Sequence, residues 1–548
     1  MTSAHSRSSS STRTTSQDHT TQPETSPVLA ANLVQQCRTI IAEIDSLQTL
    51  LARSLRNPQL VEVRQLRSNV NSELKMLAKL EAQVLDSQRS GDETQDSVDD
   101  GQRDPEVEMR LFHALRSSNL PFYQAVWRIA KGSCSGLLTL GKRFYWDAQE
   151  PKDPKGEKKP NKDKRKSVFV DIVADDGEEW VKVSTVSESR LLFEMAKKGW
   201  ERDSEDEDVW SESENDGSTS RPPRRTVLRN FDGDEQPHDS GDDEDDLELI
   251  KLARDLRKAA DATRVRYRHP RIRLVLPKVE EGNVPEIDDL LDEIRKYNIR
   301  VECQGRISDA AAAQQDLAHL LPQPFKKFTD TLNVDCTLLL AIVSDLSHVQ
   351  NMAPQPGMHK AIIRQLEVEK EQPLLPTELW PAMGAQKLIC TEEAAARMRQ
   401  IVDTIGTDTE KIRARIVLGD PPYDHSIRET LIHQFQELSD YRVPVVWKLP
   451  IKVAEAQSVI DSGKAQLPPV ADEVAKGLSD INHSVFMYGW VTGLTTISSN
   501  RSIDKQIEAT IEKNRGGDDD LEGPSVWICE TARSLVGKDK NRKTSNTL

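Results

Sequence analysis

Hydrophobic residues near the start of the chain recur at helical spacing. Leu33, Cys37, Ile40, Ile44, Leu47 and Leu51 step by threes and fours, the signature of an amphipathic helix. A second seam, Leu66, Val70, Leu74, Leu77 and Val84, follows Pro58. Proline is excluded from helix interiors, so residues 29–88 read better as a helical hairpin than as one long coiled coil. Such a hairpin either packs on its own domain or offers a docking or dimer surface to a protein partner. Residues 104–146 read as two more helices, ending at "GKRFYW".

From residue 167 the pattern changes. "SVFVDIVADDGEEWVKVSTV" holds two β-rich runs around Asp175, Asp176 and Gly177. Asp-Gly between apolar runs predicts a hairpin, because the turn needs positive φ. The helix "SESRLLFEMAKKGW" closes that unit. Farther on, a helix in "LELIKLARDLRKAADATRVRY" precedes the strand "RIRLVLPKV", a helix over 285–297 and the strand "IRVECQG". A strand–helix–strand succession predicts parallel pairing. Beyond 331 come the strand "TLNVD", helices in "TLLLAIVSDLS", "EEAAARMRQIVDTI" and "SIRETLIHQFQELSDY", and strands in "VPVVWKLPI", "SVFMYGW" and "PSVWICE". This alternation predicts a layered α/β domain with its ligand site at the carboxyl ends of the strands.

Two stretches carry no such pattern. "PKDPKGEKKPNKDKRK" (151–166) is Lys-rich and apolar-free, a solvated loop or a nuclear import signal. Residues 201–247 are acidic and Ser-rich, too polar to offset the entropy of ordering, and read as a disordered linker. Ser204, Ser211, Ser213 and Ser240 each precede an acid by three residues, which suits an acid-directed kinase. The Ser/Thr-rich N-terminus lacks the apolar core of a secretory signal and reads as a disordered tail.

The formal charge of −16 argues against a general nucleic-acid coat but leaves room for a local basic groove. No apolar run approaches the ~20 residues of a membrane span. Six scattered cysteines, with no CxxC pair, form neither a disulfide framework nor a zinc box, so the expected setting is cytoplasmic or nuclear. Phosphate loops, dinucleotide glycine motifs and nucleophile elbows are absent, and the histidines are isolated.

Carboxylates remain. Asp335 closes an apolar strand and precedes Thr337, which can cap the next helix. A buried carboxylate needs hydrogen-bond donors, a cation or a metal. Hydrolytic two-metal sites gather several acids from separate strand ends. Asp335, Asp345, Glu392, Glu393, Asp403, Asp420, Asp424 and Asp504 are the acids available.

Three stretches carry a resemblance. "VDIVADDGEEWVKV" is similar to a D-V-V-A-x-G-x-x-W-V-K signature through Asp171, Ala174, Gly177, Trp180 and Lys182. "NVDCTLLLAIVSDLSH" and "CTEEAAARMRQIVDTIGT" resemble its companions, a strand ending in Asp and an acid opening a helix that ends in D-T-[IL]-G. Together they resemble an uncharacterised eukaryotic family, the domain-of-unknown-function family 1308, whose C-terminal part is PIN-like. PIN domains are α/β folds, and many are ribonucleases using three or four acids with Mg²⁺ or Mn²⁺.

By this resemblance Asp335 is the first acid and Glu392 the second, both catalytic and metal-binding. The third fails: where the family resembles F-G-T-G-D, this chain has "VFMYGWVTG", with Gly489 matched and Trp490 in place of the acid. Asp504 is the nearest substitute metal ligand.

The expected architecture is α/β, with a C-terminal PIN-like three-layer domain on a mainly parallel sheet. An α-helical hairpin region, a small α+β region and a disordered acidic linker precede it. The expected divisions are a tail (1–28), helical region (29–147), basic linker (148–166), hairpin-plus-helix unit (167–200), acidic linker (201–247), strand–helix–strand unit (248–306) and PIN-like domain (307–548). The expected function is binding or scaffolding with a degenerate nuclease-type site. The alternative is a metal-dependent ribonuclease cleaving single-stranded RNA.

Overall fold

The computed structural model of the protein describes residues 25–55, 57–92, 105–146, 166–198, 246–306, 316–354, 358 and 360–536. Nearly all of the N-terminal tail, the Lys-rich run and the acidic linker with its four serines lies outside the described residues. Among the described residues no helix is long and apolar enough to cross a membrane. The chain divides into two compact units.

The first unit takes in residues up to 46 and residues 64–127. It is built from most of α1 (Ser26–Ser54), α2 (Arg64–Asp92), α3 (Pro105–Arg116) and the first part of α4 (Leu120–Ser133). Val34, Cys37, Ile40 and Ile44 of α1 are buried, as are Leu66, Val70, Leu77 and Val84 of α2, so the two seams face inward. Asp45 accepts from Arg67 Nε at 2.6 Å and Nη2 at 3.1 Å, linking the helices. Buried Glu73 accepts from Ser118 Oγ at 2.7 Å and Asn119 N at 2.8 Å, satisfying the turn between α3 and α4.

The second unit holds two five-stranded sheets. In the first, β1 (Thr139–Tyr145), β2 (Ser167–Ala174), β3 (Glu179–Val183), β4 (Arg271–Leu276) and β5 (Ile299–Cys303) lie in chain order. The β1–β2 and β2–β3 pairs are antiparallel and the other two parallel. Helices α5 (Glu188–Lys198), α6 (Glu248–Asp261) and α7 (Pro285–Lys296) share its apolar core with Trp180, Leu274 and Leu276. The Asp-Gly turn forms as expected, with φ of 49, 54 and 103° at Asp175, Asp176 and Gly177. "GKRFY" is a strand rather than a helix end, because β2 offers it a ladder in which Arg143 pairs Phe169. The hairpin at 167–183 and the strand–helix–strand segment at 271–303 are parts of this one sheet.

The second sheet is parallel throughout. Chain order runs β6 (Thr331–Val334), α8 (Cys336–Val343), α9 (Asp345–His348), α10 (Lys360–Glu371), α11 (Trp380–Met383), β7 (Lys387–Thr391), α12 (Glu392–Ile405), α13 (Asp408–Leu418) and α14 (Arg428–Gln436). Then come β8 (Lys452–Ala454), α15 (Gln457–Gly463), α16 (Val470–Lys476), α17 (Asp480–Thr492), β9 (Thr495–Ser498), α18 (Arg501–Lys513) and β10 (Val526–Ile528). Spatial order is β10-β9-β6-β7-β8. The chain therefore builds outward from β6 on one side, then returns to build on the other. The switch point lies between β6 and β9.

Three expectations need correction. "SVFMYGW" is helical, part of α17, not a strand; a short apolar run fits either element by periodicity alone. "VPVVWKLPI" is mostly loop, with β8 starting only at Lys452. Pro444 and Pro450 deny the run two ladder donors, and while Trp447 is buried, Val445 and Val446 are exposed. The helix after Asp335 breaks at Ser344, which is extended and caps α9 through its side chain.

Candidate functional site

Asp335 sits where the open-sheet rule predicts a ligand crevice, at the carboxyl end of the central strand beside the switch point. Its side chain is 2% exposed. Two hydroxyls donate to Oδ2, Thr337 Oγ1 at 2.6 Å and Ser498 Oγ at 2.6 Å. Ser498 closes β9, so this second bond links the carboxyl ends of the adjacent strands β6 and β9. The hydroxyls are themselves engaged: Ser498 Oγ accepts from Asn500 N at 2.9 Å, and Thr337 Oγ1 accepts from Ser499 N at 3.1 Å. Burial pushes the carboxyl above its ordinary range, against the pull of Ser498, Thr337 and the amides of Cys336 and Thr337.

Thr337 is thus no helix cap. Asp335 holds the N-cap position of α8, yet its side chain makes no capping hydrogen bond. The hydroxyls of Thr337 and Ser498 supply the donors that a buried carboxylate needs.

Below this point the interior is unusually polar. Asn333 is fully buried and donates to Val485 O at 2.8 Å and Thr496 Oγ1 at 3.0 Å. Thr391 and Ser484, both buried, share a hydrogen bond at 3.1 Å. Gly489 of α17 lies against this layer so closely that a Cβ there would stand 2.1 Å from Thr496 Oγ1 and 3.3 Å from Asn333 Nδ2. The next residue, Trp490, is half-buried and packs on the apolar core.

Glu392 opens α12 at the carboxyl end of the neighbouring strand β7, so it shares a sheet edge with Asp335. It is exposed, and among the described residues no hydrogen bond joins the two acids. Asp504 lies a turn into α18, where burial and Glu508 raise its carboxyl to about 6 against the pull of Arg501, Arg266 and Lys505. It also acts on Tyr267, outside the second sheet. Asp420 accepts from Arg399 Nε and Nη2, each at 2.8 Å, Asp403 is exposed, and Asp424 sits beside His425. Among the described residues no group of three or more His, Cys, Asp or Glu side chains is placed to hold a metal ion. Mg²⁺ and Mn²⁺ take several hard oxygens at short range. A carboxylate committed to two hydroxyl donors beside an exposed glutamate does not fit that requirement.

A second buried polar cluster escaped the sequence reading. Asp345 accepts from Thr407 Oγ1 at 2.6 Å, Thr409 Oγ1 at 2.7 Å and Arg413 at 2.7 Å. Burial would raise its carboxyl, but these donors outweigh it and hold the group low. Arg413 also donates to Val343 O and to Leu438 O. His348 bridges Ser439 Oγ at 2.9 Å and Ile342 O at 2.6 Å, and burial, reinforced by Arg413, depresses it to about 3. Glu410 closes a capping box with Thr407 and accepts from Asp345 N. The Thr407-x-x-Glu410 spacing was the available signal.

Residues 332–420 match a family described as Protein of unknown function (DUF1308). The match runs from β6 past α13 and contains Asp335, Glu392 and Asp345 with its donors Thr407, Thr409 and Arg413. Two of the three stretches that carry the resemblance, 333–348 and 390–407, lie inside it, and 170–183 lies outside. No curated protein and no solved structure matches the chain.

Proposed function

We propose that this is a binding or scaffold protein whose C-terminal domain is PIN-like, with a degenerate nuclease-type site in which Asp335 is structural. The observation that carries this reading is the Asp335–Ser498 hydrogen bond. It ties the carboxyl ends of β6 and β9 together at the switch point, where an open parallel sheet would place its ligand. A parallel sheet with the acid at the end of its central strand supports PIN-like kinship. Trp490, packed on the core where the family carries an acid, supports loss of the chemistry. Six free, buried cysteines suit a reducing compartment, cytoplasmic or nuclear. The test is cleavage of single-stranded RNA with Mn²⁺ by wild type and Asp335→Ala. Equal inertness is expected. Mn²⁺-dependent cleavage by wild type, lost in the variant, overturns the reading in favour of a ribonuclease.

A further inference from the structure

β1 is an edge strand. Its outer side is met by Glu62, which bridges Thr139 and exchanges backbone hydrogen bonds with Leu138 and Leu140. Past that bridge β1 presents Lys142, Arg143 and Tyr145 to solvent, with Tyr145 52% exposed. The Arg143 guanidinium lies 6.0 Å from the centre of the Phe169 ring, and Lys182 Nζ lies 5.6 Å from it. Lys142 Nζ lies 5.0 Å from the Phe144 ring. Asp171, the carboxylate beside this group, is buried and paired with Lys182 at 3.2 Å. It leaves Lys142 and Arg143 uncompensated; among the described residues neither forms an ion pair.

This is a concentration of positive charge in a chain of net charge −16. The segment that leads toward β2, 151–166, carries eight basic residues against three acidic ones. Arg143 and Tyr145 are two apart on the strand, so they share a face at a separation of about 6.8 Å. Cations neutralise phosphates, and exposed aromatic rings stack bases without regard to sequence. An acidic peptide would meet the charges but leave the Tyr145 ring idle.

We propose that the open edge of β1, with Arg143 and Tyr145 on one face and Lys142 on the other, binds single-stranded nucleic acid. This surface belongs to the first sheet, so the proposal stands or falls apart from the reading of Asp335.

The test is fluorescence anisotropy of a labelled oligouridylate about twelve nucleotides long, within the usual site size of such grooves, titrated with the full chain. Wild type binds, more weakly as salt rises. K142E/R143E loses tenfold or more in affinity, and Tyr145→Ala about fivefold or more. K142A/R143A lowers the slope of log affinity against log salt by about 1.4, two phosphate contacts' worth on a single strand. All three positions are exposed, and unchanged circular dichroism shows that the variants fold. Lys505→Glu, exposed on α18, binds as wild type does. No binding at low salt overturns the proposal, as does binding that the β1 substitutions leave intact. A labelled oligoglutamate that binds in place of the oligouridylate, with the same sensitivity to these substitutions, also overturns it.

Discussion

Ser498→Ala is the sharpest probe of how the second sheet is held together. The substitution removes the donor to Asp335 Oδ2 at 2.6 Å and the acceptor for Asn500 N at 2.9 Å. A hydrogen bond to a charged group is worth about 1.5–3 kcal/mol and a neutral one about 0.5–1.5, and the two are not additive here. The expected loss is about 2–4 kcal/mol, centred on the ends of β6 and β9. Ser499→Ala, one residue on, removes no side-chain hydrogen bond of this cluster and should cost less than about 0.5 kcal/mol. Native-state hydrogen exchange localises the loss to the strands concerned. Amides in 331–343 and 495–505 should exchange roughly 30-fold faster or more in the first variant, and as in wild type in the second. The lost bond favours ionised Asp335, so the deficit should shrink as the pH falls and the carboxyl protonates. Equal behaviour of the two variants would refute the reasoning, and so would a deficit that ignores pH.

Other outcomes follow from the same geometry. Gly489→Ala forces a Cβ to within 2.1 Å of Thr496 Oγ1, an overpacking that should cost about 1–3 kcal/mol or more; unaltered thermal stability would contradict the close approach of α17. Arg413→Met leaves buried Asp345 without its cation and should cost about 3–5 kcal/mol, read as faster exchange in α8 and α13; protection equal to wild type would contradict it. Asp504 is raised to about 6 from 3.8. Its contribution to stability is therefore complete below about 3.8 and lost as pH rises through about 6. Asp504→Asn should accordingly stabilise the chain above that pH and not near pH 4; a gain equal at both would show that the charge is not the cause.

Much of the architecture can be read from the pattern of residues, and the exceptions have physical causes. The α1 and α2 seams, the Asp-Gly hairpin and the strand–helix succession at 271–303 all rest on local periodicity, which the packing honours. "SVFMYGW" misleads because it is apolar on every side, as befits a helix sealed into the core; only Gly489, which lets α17 approach β9, hints at its packing. "GKRFYW" misleads in the other direction, since its partner β2 is distant in sequence. Asp335 can be singled out from its place between strand and helix, but its partner Ser498 is 163 residues away. No local signal pairs them. Asp504 illustrates the limit of counting acids: it lies on a helix that follows the right strand, yet its neighbours are Glu508 and Tyr267.

The most direct test of the central claim is thermal unfolding of the full chain with and without millimolar Mn²⁺, for wild type and Asp335→Ala. A ligand that binds the native state alone raises its stability in proportion to RT ln(1 + [L]/Kd). With Asp335 committed to Thr337 and Ser498, the account predicts that Mn²⁺ leaves the wild-type transition where it was. A rise in the wild-type transition that disappears in Asp335→Ala would contradict it and restore the carboxylate to metal chemistry.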